Sequence, residues 1–352
     1  FYNPIKFDIS FSDLDDKFES ESHLASTVIQ AYYLLQLEDS EQKLSYPQAL
    51  IKQLVNNNQI EYSSDSDFEI TLSNNENFYI FNSEELKTKN DGYDLRLILY
   101  HEIIHGLGIK SEGISYPKYL ESAYTNVNPS EYTTFTGMKS YLIMFFEPTI
   151  YDSYLFNNGV SESYSLAKKM LPMVKKFPEI TEKIGKDQNQ NLYSFTEIIK
   201  EVVETNDTIL NESHDAYDMV TNEGLFFKGN NYEIPLHVVP HEFENGVSIS
   251  HTKHYDNEVE GDKVLLDWRI PKGILLTERP SNTTVSTTGM ENVGAEIMGP
   301  EIMDMLNTIG WPTINSNSGQ NNYKVEKAVN IFLLVHESSS AISIPLFPLF
   351  NI

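Results

Sequence analysis

The run His101-Glu102-Ile103-Ile104-His105 carries the densest chemistry in the sequence. Histidines four residues apart share one face of an α-helix, so both imidazoles reach a single ion at about 2.0–2.1 Å, with Glu102 beside them on the next rung. Leu97, Ile98, Ile103 and Ile104 give the surrounding helix a buried character. Unpartnered imidazoles are costly inside a protein, which favours metal ligation over a pair of surface histidines. The chain has no cysteine, so a metal must be held by His, Asp or Glu.

This helix needs a start, a stop and a sheet to lie on. Asp94 is placed to cap its N-terminus, and Gly106 and Gly108 to end it. Ahead of it, Phe7–Phe11 and Phe68–Leu72 alternate like strands, the latter expected to form a hairpin with Phe78–Phe81. Leu24, Val28, Ala31 and Leu35 recur at helical spacing, so a helix is expected over Ser22–Leu37.

Residues 1–111 thus read as an α/β lobe ending on the site helix. Residues 112–234 read as a mostly helical insertion, with a helix over Ser165–Lys176 and a capping box at Ser194 and Glu197. Residues 235–312 form an irregular, Gly/Pro-punctuated C-terminal lobe closing on a short helix that ends at Gly310, and 313–352 a linker and terminal segment.

In the closely spaced pattern of the metzincins, which the His101–His105 run resembles, a third histidine would fall at position 111, which is Ser111. It must therefore come from further along the chain. His23, His214 and His336 read as structural or solvated residues. His237 and His241 are four apart, but Pro240 between them argues against a shared helix. His251 and His254 remain, and His251 is favoured.

Three blocks carry a resemblance: His101-Glu-Ile-Ile-His-Gly-Leu-Gly108; Pro235-Leu-His-Val-Val-Pro240 with Gly246-Val-Ser-Ile-Ser-His251; and Gly299-Pro-Glu-Ile-Met-Asp-Met-Leu306 leading to Gly310-Trp311. In this order they resemble the zincin metallopeptidases, metzincin-like branch, and within them secreted microbial proteins with a leishmanolysin-like insertion before the third ligand. The resemblance implies an α+β zincin-like fold, two lobes around a cleft with a helical insertion between them. It implies a Zn²⁺ ion held by His101, His105 and His251, and a protein or peptide as substrate. Where similar proteins follow the third ligand with Leu-Asp, this chain has Thr252-Lys253. Where they carry a methionine in the turn beneath the metal, it has Leu266-Asp267.

Three neutral imidazoles leave zinc its positive charge and one open position, where it acidifies a water and polarises a carbonyl. Glu102 is then the expected general base of an endopeptidase. Two rivals follow from the same residues. One is a site completed by a carboxylate such as Glu121. The other is a catalytically inactive zincin-fold surface or adhesion protein.

The rest of the composition bounds the partners. Lys and Arg number 25 against 51 Asp and Glu, a net charge of −26, which repels nucleic-acid phosphate and anionic lipid and excludes nucleic acid as a partner. No apolar run reaches the roughly 18 residues of a membrane helix. The start at Phe1 rather than Met suggests a processed N-terminus, and three N-x-Ser/Thr patterns, at Asn206, Asn211 and Asn282, join the resemblance in pointing to a secreted, extracellular or cell-surface location. Oligomeric state is not encoded in any of these features.

Overall fold

Strands, not a helix, occupy the segment after the first twenty residues, and they set the platform for the site. The computed structural model describes residues 3–14, 24–36, 42–55, 60, 62, 65–75, 79–80, 85, 92–115, 124–125, 127–133, 139–145, 147–157, 165–186, 192–244, 246–253, 264–267, 272, 293–312, 324–327 and 333–336. In chain order it runs β1 (Phe7–Ser12), β2 (Ala25–Ile29), β3 (Tyr32–Gln36), β4 (Lys43–Pro47), α1 (Gln48–Leu54), β5 (Phe68–Ser73), β6 (Tyr79–Ile80), β7 (Tyr93–Asp94) and α2 (Leu95–Gly106). Short strands follow: β8 (Ile114–Ser115), β9 (Tyr124–Thr125), β10 (Val127–Thr133), β11 (Lys139–Phe145) and β12 (Leu155–Asn157). Next come α3 (Leu166–Val174), α4 (Phe177–Lys186), α5 (Leu192–Glu204), α6 (Asp207–Thr221), β13 (Leu225–Lys228) and β14 (Glu233–Pro235). The last elements are α7 (Val293–Ile309), β15 (Lys324–Lys327) and β16 (Leu333–His336). The architecture is mixed α+β, with seven helices and several small sheets among the described residues.

The helix expected over Ser22–Leu37 is replaced by β2 and β3. Thr27 and Ile29 are buried while Ser26 and Val28 are exposed, a period of two. The β-branched Thr27, Val28 and Ile29 and the paired Tyr32 and Tyr33 suit a pleated surface better than a helical one. The hairpin expected after β5 is not formed among the described residues. β5 is instead the central strand of the sheet β1-β5-β2, parallel to β1 and antiparallel to β2, while β6 pairs in parallel with β7. Phe78 and Phe81 lie outside the described residues. Helix α5 begins at Leu192, which places the expected cap position Ser194 two residues inside it.

The chain divides into two compact units. The first comprises Phe1–Glu112, Glu147–Lys168 and Asp218–Ala328, and the second Gly113–Phe146, Lys169–Tyr217 and Val329–Ile352. The first unit holds the sheets β1-β5-β2, β15-β3-β4 and β12-β13-β14. Its core gathers Tyr33, Leu50, Ile51, Phe68, Ile70, Leu97, Ile98, Tyr151 and Phe227, all essentially sealed from solvent. The second unit holds the antiparallel sheet β10-β11-β16 and the helices α4 and α5, tied across by Lys183 to Glu201 at 3.0 Å. No helix among the described residues is long and apolar enough to cross a membrane.

Candidate metal centre

Helix α2 starts where the sequence places its cap. The Asp94 carboxylate accepts the Arg96 N–H at 2.9 Å and, from the other side, the Arg96 guanidinium at 2.8 Å, satisfying a donor that a helix start leaves open. Leu97, Ile98 and Ile104 are fully buried, and so, nearly, are His101, Glu102 and His105. The helix is apolar around its circumference because it is enclosed on several sides, with β2 and β5 packed against it.

The glycines of the first block now have separate physical roles. A Cβ on Gly106 would stand 2.5 Å from the ring of Phe68 on β5, so only glycine lets the helix lie this close to the sheet. Gly108 has φ +110°, the left-handed region that turns the chain out of the helix. The indole N–H of Trp311 donates to the Leu107 carbonyl at 2.8 Å, which accounts for the late Gly-Trp pair.

His251 arrives on an irregular segment stitched to its neighbours by backbone bonds. The His237 N–H donates to the His251 carbonyl at 2.8 Å, and Ile249 N–H to the His237 carbonyl at 2.8 Å. Thr252 N–H donates to Leu266 at 2.9 Å. Ile249 has φ +62°, which is strained for a β-branched residue. The phenol of buried Tyr151 donates to its carbonyl at 2.6 Å and holds it there.

These elements, all within the first unit, bring three imidazoles together. His101 Nε2 lies 3.1 Å from His251 Nε2 and 3.1 Å from His105 Nε2. All three rings are buried, and their candidate ligand atoms lie within 4.8 Å of one another. Each ring is turned by its other nitrogen: His101 Nδ1–H donates to Leu265 O at 2.7 Å, His105 Nδ1–H to Ile109 O at 2.9 Å, and His251 Nδ1–H to Val247 O at 2.7 Å. A carbonyl can only accept, so each neutral ring carries its proton on Nδ1 and its lone pair on Nε2. Three lone pairs then face one another.

That arrangement repels itself unless a cation sits among them. Burial pushes His251 down to about 3. It also holds His105 well below its ordinary value, the neighbouring His101 and His251 adding to the effect. Protonation is therefore a poor remedy for these two rings near neutral pH, and a metal ion a good one. Tetrahedral zinc bound at 2.0–2.1 Å sets neighbouring nitrogens roughly 3.3 Å apart, close to the spacing found. The group could hold a metal ion.

Glu102 follows His101 on the helix. One oxygen of its carboxylate, Oε2, accepts the Thr27 hydroxyl of β2 at 2.7 Å. The expected triad of His101, His105 and His251 is brought together, with Glu102 alongside; His237 and His241 stand outside the triad, and His254 and Glu121 lie outside the described residues. Sequence reasoning missed Thr27, hidden in a segment read as helix. It also missed the carbonyls of Leu265, Ile109 and Val247, which no side-chain pattern encodes.

A mixed α+β protein with a buried three-histidine group is the class that fold and site define. The SPBPB7E8-like family model matches residues 1–338, and the chain belongs to that family. No curated protein and no solved structure matches it.

Proposed function

We propose that this chain is a zinc-dependent endopeptidase of zincin type, secreted or displayed at the cell surface. The observation carrying the reading is the convergence of three Nε2 lone pairs, each fixed by an Nδ1–H bond to a backbone carbonyl, with a glutamate next along the ligand helix. Zinc bound there would supply a Lewis acid for a water and a scissile carbonyl. His101, His105 and His251 would hold the ion. Glu102 would take a proton from the attacking water and return it to the leaving amine.

The second reading, a non-catalytic zincin-fold surface or adhesion protein that keeps the helix but binds a partner, is favoured by Leu266-Asp267 standing where similar proteins carry the turn methionine. One experiment separates the two. Zinc content is measured on the purified chain, and cleavage of an unfolded protein is followed with and without a chelator. Stoichiometric zinc with chelator-sensitive cleavage supports the peptidase. Zinc without cleavage, or no zinc and no cleavage, removes the peptidase and leaves the binding protein.

A further inference from the structure

We infer that Thr27 is a positioning residue for the Glu102 carboxylate, so that strand β2 sets the direction in which the general base faces; the inference rests on the proposed function. Thr27 is the inward-facing residue of a strand at the edge of its described sheet, buried between exposed Ser26 and Val28. Its hydroxyl lies 2.7 Å from Glu102 Oε2 and 3.0 Å from the Glu102 backbone carbonyl. The two acceptors belong to one residue, so the hydroxyl fixes the side chain relative to its own helix turn. The short bond ties Oε2 to the strand and leaves Oε1 as the oxygen that we assign to proton handling.

The strand is itself held in register. Thr27 pairs with Ile70 of β5, and its carbonyl accepts the Lys110 ammonium at 3.1 Å, four residues past the end of α2. Helix, strand and the chain leaving the helix thus form a closed loop around one hydroxyl. A carboxylate on a glutamate side chain otherwise has three rotatable bonds, and a charge-assisted hydrogen bond of this length removes most of that freedom. Thr27 touches none of the three imidazoles by hydrogen bond, so its effect on the metal and its effect on Glu102 are separable.

The test compares the zinc-loaded full chain with its Thr27→Val and Thr27→Ser variants, using acetohydroxamic acid as probe. A hydroxamate chelates zinc and shares its acidic proton with a neighbouring carboxylate, so it reads the placement of Glu102 without turnover. Thr27→Val should keep zinc affinity within about twofold, weaken the hydroxamate about tenfold and, where peptide is cleaved, lower kcat about 10- to 100-fold at unchanged KM. Thr27→Ser should restore all three. In a Glu102→Gln background Thr27→Val should add nothing to the loss of hydroxamate affinity.

Hydroxamate affinity unchanged in Thr27→Val overturns the inference, as does a loss of zinc affinity, which would make the hydroxyl a support of the ligand helix alone. If the valine variant does not fold, Thr27→Ala carries the same comparison. A wild-type chain that binds zinc but cleaves nothing removes the peptidase reading while the hydroxamate ratio still decides this one. A chain that takes up no zinc removes both.

Discussion

His101 and His251 stand 150 positions apart in the chain, yet their Nε2 atoms are 3.1 Å from each other, each ring held by a backbone carbonyl behind it. Two rings so placed could share a cation, since only a cation or a proton between them makes that spacing favourable. Replacing His251 with alanine should therefore remove metal rather than merely loosen the fold. Zinc measured by atomic absorption after dialysis should fall from about one ion per chain to near zero. Retention of a full equivalent would move the third ligand elsewhere.

Glu102 lies next to His101 but contributes no atom to the three-nitrogen group. Glu102→Gln should keep zinc at the wild-type level and lower turnover of a peptide by about 10²–10⁴-fold, the range general-base catalysis supplies. Equal rates for variant and wild type, at equal zinc content, would take the base assignment away from this residue.

The site helix was legible because its logic is local. An i, i+4 histidine pair, an Asp cap and a glycine exit all lie within fifteen residues, where helical periodicity alone fixes who faces whom. Weighing the other histidines narrowed the third position to His251 or His254, and resemblance singled out His251, since no spacing rule predicts where a loop 146 residues after His105 returns. The segment carrying Thr27 was misread for a definite reason: Leu24, Val28, Ala31 and Leu35 satisfy a period of 3.6, while buried Thr27 and Ile29 alternate with exposed Ser26 and Val28 at a period of two. Sheet partners far away in sequence, Phe68–Leu72 on β5, decided between them.

Tyr151 supports the third histidine of the group at one remove. Its phenol holds the carbonyl of Ile249, whose left-handed backbone sets the path of the chain two residues before His251. Tyr151→Phe leaves the ring in place and strands a buried carbonyl. Zinc affinity, measured by competition with a chromophoric chelator, should weaken about tenfold. Urea denaturation should register a stability loss of about 1–2 kcal/mol. A stability loss with unaltered zinc affinity would confine Tyr151 to the core.

Gly106 sits where helix and sheet are closest. A methyl group there would meet the Phe68 ring at 2.5 Å, and that ring is fully buried and stacked on Phe7 with centroids 5.1 Å apart. It has little room to give. Gly106→Ala should destabilise the chain by about 1–3 kcal/mol through overpacking, despite the better helix propensity of alanine. A neutral or stabilising result in chemical denaturation would mean that Phe68 and the helix can separate without loss.

Asp152 makes the stability of the first unit depend on pH. Burial raises its carboxyl from 3.8 to about 6, against the opposing pull of hydrogen bonds from Ser111 and Thr149. Its oxygen accepts the Thr149 N–H at 2.8 Å and hydroxyl at 2.9 Å, and the side chain is sealed from solvent. A carboxyl whose value is raised on folding binds its proton more tightly in the folded state. Its contribution to stability is complete below about 3.8 and is lost as pH rises through about 6, a change on the order of 2–3 kcal/mol. The Asp152→Asn variant cannot ionise, so its unfolding free energy should lack this component. Subtracting its urea-denaturation profile from that of wild type, from pH 4 to 8, should leave a curve that falls with pH and flattens near 7. A flat difference, or one that rises, would mean that the carboxylate is held charged and satisfied in the folded chain.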